Sequence, residues 1–325
     1  MTTQDRTRSG LTMVELVVVV AVIAMLLAII LPALQYTRET SRRSVCVSNL
    51  RNFGDAIHSF ESRTGKFPAA SNFNDPRTNY GGLWSAQAVL LADLGYAQLM
   101  ETAGVLRGVP PLVDTGQPEW AERSPEIFTC PTDPVDGGIN FVVCTGSGPS
   151  PYRQKDMVGA ISQHYGRYPA EVTDGLSNTA AMSEQTKSSK SMRFDRRVHF
   201  WASGANGLPG GYGSTAALRG ICDALIETTD MDFDRDKGSS WTRGSFGRTW
   251  YNHTAAPNAN SRDCSAQSEV AAVNAEGVHP ARSWHPGGVN VLLLDGSVRF
   301  TSDAIEEAIW HAAGTIAGGE MAVQF

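Results

Sequence analysis

The chain has 325 residues and a formal net charge of −6, with 27 basic against 33 acidic side chains. That length allows one or two domains with a full core. The mildly acidic balance, with no basic cluster beyond Arg42-Arg43 and Arg196-Arg197, argues against nucleic acid as a partner, and both doublets read as solvated surface. Thirty-two Gly and sixteen Pro with 18 % charged residues suit a turn-rich β domain in an extracytoplasmic compartment.

The first element runs from Gly10 to Pro32 and holds sixteen uninterrupted apolar residues, Leu16 to Leu31. As a helix that run reaches roughly 24 Å, a little short of a bilayer core. Counting from Leu11 gives spanning length but encloses Glu15, and a carboxylate near the bilayer centre costs on the order of 3 kcal/mol. A signal peptide accounts for Arg6 and Arg8, but the run is long and no small-residue cleavage site follows it. A plain anchor accounts for the length and leaves Glu15 without a role. Cleavage after Gly10 makes Glu15 the fifth residue of the mature chain. Loss of a leader in which Asp5, Arg6 and Arg8 sum to +1 then leaves a net charge of −7.

Gly10, Leu11, Thr12 and Glu15, with Met13 and Val14 between, stand as they do in the type IV prepilins and the pseudopilins of type II secretion, which this N-terminus resembles. Pro32 falls where pilin helices often kink. The resemblance implies an inner-membrane prepilin peptidase that cuts after Gly10 and methylates the amine of Leu11. It also implies that Glu15 pairs with the terminal amine of a neighbouring pilin subunit during assembly.

Beyond the apolar run, Leu50, Phe53, Ile57 and Phe60 recur at three- and four-residue spacing, while Arg51, Asp55 and Glu61 face elsewhere. Thr64-Gly65-Lys66-Phe67-Pro68 supplies a stop. The pattern predicts a nearly continuous helix from about residue 11 to 62, roughly 75 Å long. Its first half is apolar all round and its second half carries one apolar stripe, the plan of a pilin.

A second resemblance covers Leu11 to about Glu320. Arg42-Arg43-Ser-Val-Cys46-Val-Ser-Asn49-Leu50, Phe128-Thr-Cys130-Pro131-Thr-Asp133, Thr173-Asp174-Gly175-Leu-Ser177-Asn178-Thr179 and Phe246-Gly-Arg248-Thr-Trp-Tyr251-Asn252-His253 carry it. So does His285 followed after nine residues by Asp295-Gly296. The chain is similar to a bacterial family that joins a prepilin-type N-terminus to a domain of unknown function, also known by a solute-binding label. The H-x9-D-G spacing names the C-terminal region of that family. The resemblance implies no defined activity.

Read from the residues, those motifs are structural. Asp174-Gly175 and Asp295-Gly296 are turn pairs. Val289 to Leu294 and Ser297 to Thr301 form a predicted hairpin about a two-residue turn, with the apolar first strand central in its sheet. Ser302 to Trp310 reads as a short helix capped by Ser302 or Asp303. Leu83 to Met100 is a further helical candidate. The rest of the middle shows only weak alternation.

Cys46, Cys130, Cys144, Cys222 and Cys264 allow fifteen pairings of two bridges and one odd thiol, and sequence does not choose among them. Nearest neighbours suggest Cys130–Cys144 and Cys222–Cys264, with Cys46 free; all five reduced and buried is the alternative.

Asp230, Asp232, Asp234 and Asp236 alternate before Gly238 and offer carboxylate oxygens to Ca²⁺, as in calcium-binding loops of several pseudopilins. The EF-hand spacing fails because Arg235 or Lys237 holds the place of its glycine, so a solvated acidic loop is the better account of the run. His279, His285 and Asp295 form no recognised zinc pattern. His285, beside the hairpin, reads as a hydrogen-bond donor to a backbone carbonyl. Trp201, Trp241, Trp250, Tyr251 and Trp284 lie in Gly-rich stretches and suit either a sugar-stacking groove or the core. There is no G-x-S-x-G elbow, Walker A loop or H-E-x-x-H, so no catalytic role and no cofactor is assigned.

The expectation is an α+β pilin-like fold, with a long N-terminal helix packed on an antiparallel sheet. Residues 1–10 form a leader, 11–32 a membrane-spanning part, 33–62 a periplasmic half-helix and 63–325 the head, with the H-x9-D-G region at 279–325. The function expected is a subunit or minor component of a pseudopilus or pilus-like assembly, anchored once in the inner membrane. The alternative is an anchored periplasmic or surface module that binds a sugar or other solute.

Overall fold

The computed structural model describes residues 13–71, 84–105, 124–149, 158–161, 166–188, 200–202, 215–224, 233–234, 237–265 and 277–319. The chain divides into two compact units, residues 1–42 and 43–325. Helix α1 spans Met13–Thr64 with Pro32 inside it, close to the predicted 11–62. It stops because Gly65 turns left-handed, at φ +79°, and its N–H closes on the Glu61 carbonyl at 2.7 Å. In the first unit the side chains from Met13 to Arg38 are all exposed, apolar ones included.

In the second unit α1 is one-sided. Cys46, Leu50, Phe53, Gly54, Ala56 and Ile57 are buried, at the spacing read from the sequence. Phe53 stacks on Phe128 with ring centroids 5.6 Å apart and tilts against Phe141 at 6.1 Å. The region expected to be helical near residues 83–100 holds two short helices, α2 (Ala86–Val89) and α3 (Ala97–Ala103). The Ser85 hydroxyl caps α2, accepting from the Ala88 N–H at 3.0 Å.

The strands follow as β1 (Phe141–Cys144), β2 (Ala180–Glu184) and β3 (Phe200–Ala202). After helix α4 (Thr215–Ala224) come β4 (Phe233–Asp234), β5 (Trp250–Tyr251), β6 (Asp263–Ser265) and β7 (Gly277–Val278). The described part closes with β8 (Gly288–Leu293), β9 (Val298–Ser302) and helix α5 (Glu307–Ala313). The main sheet has the order β5-β1-β2-β8-β9 and is antiparallel except where β5 joins β1. A smaller sheet runs β4-β3-β6-β7, with Leu218 and Cys222 of α4 packed on Cys264 and Val278.

Strands β1, β2, β5 and β8 of the main sheet are buried on both faces, and the edge strand β9 is partly exposed. Phe141, Val143 and Leu292 join Cys46, Leu50 and Phe53 of α1 in one apolar cluster. Val142, Cys144, Val291 and Leu293 alternate to the other face, where Trp310 of α5 covers them. This alternation corrects one of the two nearest-neighbour bridges, Cys130–Cys144, and the expectation of a free Cys46. Cys144 points away from α1 and stays an unbridged, buried thiol, while Cys130 bonds to Cys46 across a Cα separation of 5.3 Å. Cys222 bonds to Cys264, with Cα atoms 5.9 Å apart.

The hairpin forms with β8 between β2 and β9, but its turn holds three residues rather than two. Leu292 pairs with Val298, the Gly296 N–H closes on the Leu293 carbonyl at 3.0 Å and the Leu293 N–H on the Ser297 carbonyl at 2.8 Å. Gly296, at φ +84°, supplies the left-handed residue that a three-residue loop of this kind requires. The helix expected from Ser302 begins later, because Ser302 is still paired with Gly288 and its hydroxyl caps only a local turn at Ala304. Arg43 is not a solvated surface residue: its guanidinium lies 3.5 Å over the Phe300 ring and donates to Asn290 Oδ1 at 3.3 Å. Arg196 and Arg197 lie outside the described residues.

Candidate functional site

Gly10 and Leu11 precede the first described residue. Glu15 sits in the first turn of α1, where the helix N-terminus favours a negative charge. Among the described residues α1 is the one helix long and apolar enough to cross a membrane, and its apolar window is wholly unburied within the chain. No aqueous contact rewards such a surface, so the sequence that forms this helix also sets the solvent it needs.

The second place where functional residues meet is the far end of the main sheet from the β8–β9 turn. Cys46 arrives on α1, Cys130 on the loop before β1, Glu184 as the last residue of β2, and His285 three residues before β8. His285 Nε2 stands 3.5 Å from Cys130 Sγ and 3.2 Å from Glu184 Oε1, and all four side chains are buried. The Glu184 carboxylate is fixed from the other side by Asn290, whose N–H donates to Oε2 at 2.8 Å and whose amide donates to Oε1 at 3.0 Å. Arg43 holds that amide in turn. The loop carrying Cys130 is set by Asn140, which accepts from the Cys130 N–H and donates to Asp133. Glu184 was not legible as a site residue, since Ala-Ala-Met-Ser-Glu carries no motif.

The other candidates separate. Asp295 is exposed at the turn and accepts from the Ser297 N–H and hydroxyl at 2.9 and 2.6 Å. Gly296 lies against α1, where a Cβ on Gly54 would stand 3.2 Å from the Gly296 Cα. His279 stacks on Phe246 at 4.8 Å, and burial pushes it down to about 3, against the pull of Asp263. Asp263 is itself buried between Lys237, at 2.5 Å, and Arg282, at 2.7 Å. The trio His279, His285 and Asp295 is therefore not one site. Of the calcium candidates, Asp230, Asp232 and Asp236 lie outside the described residues and Asp234 is described only as backbone of β4.

Trp241, Trp250 and Tyr251 are core residues, which removes them from any ligand-stacking groove. Trp250 uses its indole N–H on the Ala70 carbonyl at 2.9 Å. His253 lies parallel to Trp310 with centroids 3.6 Å apart and donates from Nδ1 to the Trp310 carbonyl at 2.5 Å. That tautomer leaves Nε2 to accept from the Tyr251 hydroxyl at 3.0 Å. Burial holds His253 neutral, pushed down to about 3, and lifts the Cys144 thiol to about 12, so Cys144 is no nucleophile at neutral pH.

A long apolar N-terminal helix with a mainly antiparallel head defines an α+β, pilin-like architecture. Residues 5–31 match the prokaryotic N-terminal methylation motif. The chain belongs to the family described as protein of unknown function (DUF1559), whose model matches residues 35–308. No curated protein and no solved structure matches it. The methylation motif brings with it prepilin-type processing and pilin-like subunit assembly in general, and the single apolar helix is consistent with a single-pass anchor.

Proposed function

We propose that the chain is a structural subunit or minor component, a pseudopilin, of a type II secretion or type IV pilus-like assembly. A prepilin peptidase cuts it after Gly10 and the new amine of Leu11 is methylated. Residues 11–32 then lie in the inner membrane, residues 33–62 continue the helix outside it, and residues 63–325 form an extracytoplasmic head. Glu15 pairs with the terminal amine of a neighbouring subunit, which offsets the desolvation of its carboxylate. One observation carries this reading: the match to the methylation motif, residues 5–31, runs on through the apolar half of the helix that has membrane-spanning length and composition.

The test is the intact mass of the protein from native membranes. A chain beginning at methylated Leu11 is expected, with Gly10→Val leaving the leader attached. An uncut chain in a host that holds the peptidase, or a mature N-terminus after residue 31, overturns the proposal.

A further inference from the structure

We propose that Cys46, Cys130, Glu184 and His285 form a binding site for zinc or a zinc-like divalent ion, filled when the two cysteines are thiols. Their ligand atoms, two sulfurs, one imidazole nitrogen and one carboxylate oxygen, all lie within 4.8 Å of one another. Tetrahedral zinc with bonds of about 2.3 Å to sulfur and about 2.0–2.2 Å to nitrogen and oxygen sets edges of about 3.5 Å for S···N and about 3.4 Å for N···O. The observed Cys130 Sγ to His285 Nε2 and His285 Nε2 to Glu184 Oε1 separations are 3.5 and 3.2 Å. Both separations made by His285 Nε2 therefore stand close to tetrahedral edges, and the two sulfurs must part to about 3.8 Å.

The disulfide by itself does not account for this arrangement. It is uncharged and calls for neither a carboxylate nor an imidazole at its sulfur, yet Glu184 and His285 are 1 % and 3 % exposed beside it. Burying a carboxylate is costly unless a counter-charge meets it, and the partner 3.2 Å from Glu184, His285 Nε2, carries a charge only when protonated. A divalent ion supplies that charge, and with two thiolates, one carboxylate and a neutral imidazole the site carries −1. The surrounding shell fits: Asn290 orients Glu184 through two hydrogen bonds, and the Arg43 guanidinium backs Asn290. Paired thiolates select a soft or borderline metal over calcium or magnesium.

The chemistry balances simply. Two thiols and one M²⁺ give two metal–sulfur bonds and release two protons to solvent. Starting from the disulfide, a dithiol first supplies two electrons and two protons and leaves as its own disulfide. The site thus has two closed forms, one covalent and one metal-bridged, that join the same points of α1 and the head.

The test uses the full-length chain in detergent, reduced with a phosphine that does not itself bind the metal, and titrated with Co²⁺ and then Zn²⁺. One Co²⁺ per chain is expected, with thiolate-to-cobalt charge-transfer absorption, displacement by Zn²⁺ and release of two protons. The oxidised chain takes up none. Cys130→Ser and His285→Gln each weaken binding by more than about 100-fold, whereas Cys144→Ser, on the other face of the sheet, leaves it unchanged. If reduction alone loosens the head, Zn²⁺ restores its near-ultraviolet circular dichroism. Absence of the charge-transfer band in the reduced chain, no recovery on Zn²⁺, or unchanged affinity in Cys130→Ser overturns the site.

Discussion

Residues 13–42 and 43–64 belong to one helix, yet their apolar side chains meet opposite surroundings. In the first stretch Leu16, Val20 and Ile29 are 57, 56 and 70 % exposed. In the second, Leu50 and Phe53 are sealed beneath Phe128, Phe141 and Leu292. Hydrophobicity alone does not tell the two apart; the arrangement does. An apolar surface on every side has no core to face and asks for lipid or for other copies of itself, whereas a single stripe flanked by Arg51, Asp55 and Glu61 asks for a sheet.

The contrast can be broken from either side. Phe53→Ala removes a buried ring that stacks on Phe128, and should cost about 3–5 kcal/mol of head stability while membrane retention is unchanged. Thermal melts of the full chain in detergent, beside alkaline extraction of membranes, read the two effects separately. Val20→Arg should do the reverse. A charge at that depth costs about 3 kcal/mol of insertion, so the protein leaves the membrane fraction while its head melts as before. A loss of head stability in Val20→Arg would mean that the two halves are energetically coupled.

Smaller effects sharpen the same line. Gly296→Val puts a β-branched residue at φ +84° and should destabilise the head by about 1–3 kcal/mol. Asp295→Asn keeps an acceptor for the Ser297 N–H and should be nearly silent in the melt. Acid should also destabilise the head. His253 and His279 are held by burial at about 3 against an ordinary 6.5, so between those values the unfolded chain binds more protons than the folded one. Stability is then full above about pH 6.5 and falls as pH drops towards 3, by up to about 1.4 kcal/mol per pH unit for each histidine. Denaturant titrations from pH 7 to 4 check the sign, and a head more stable at pH 5 than at pH 7 would contradict it.

Helix α1 was legible because a long apolar block is followed by a sustained three- and four-residue stripe, and the β8–β9 hairpin because an apolar strand runs into the Asp295-Gly296 turn pair. The centre was not, for physical reasons seen in single strands. β4, β5 and β7 have two residues each, too few to show alternation. Ser183 to Ser188 is a polar run that is nonetheless buried, with its groups met by distant partners such as the Asn290 carbonyl and Asp133. Of the two expected bridges Cys222–Cys264 forms and Cys130–Cys144 does not, because strand alternation, not sequence distance, decides reach: Cys144 is fourteen residues from Cys130 but on the wrong face. His285 could be singled out by its spacing to Asp295, while its true neighbours, Glu184 and Cys130, come from other segments.

The Cys46–Cys130 tie also has a mechanical meaning. Cys46 is the first buried residue of α1, so it stands at the end of the packed stripe that tension along the helix reaches first. Noncovalent contacts pulled from one end give way in turn, each strained alone. A bond at that leading end passes the load to the Cys130 loop before Leu50, Phe53 or Ile57 can be peeled away, so the stripe must shear as a whole or hold. A metal bridging the same two sulfurs would guard the same point.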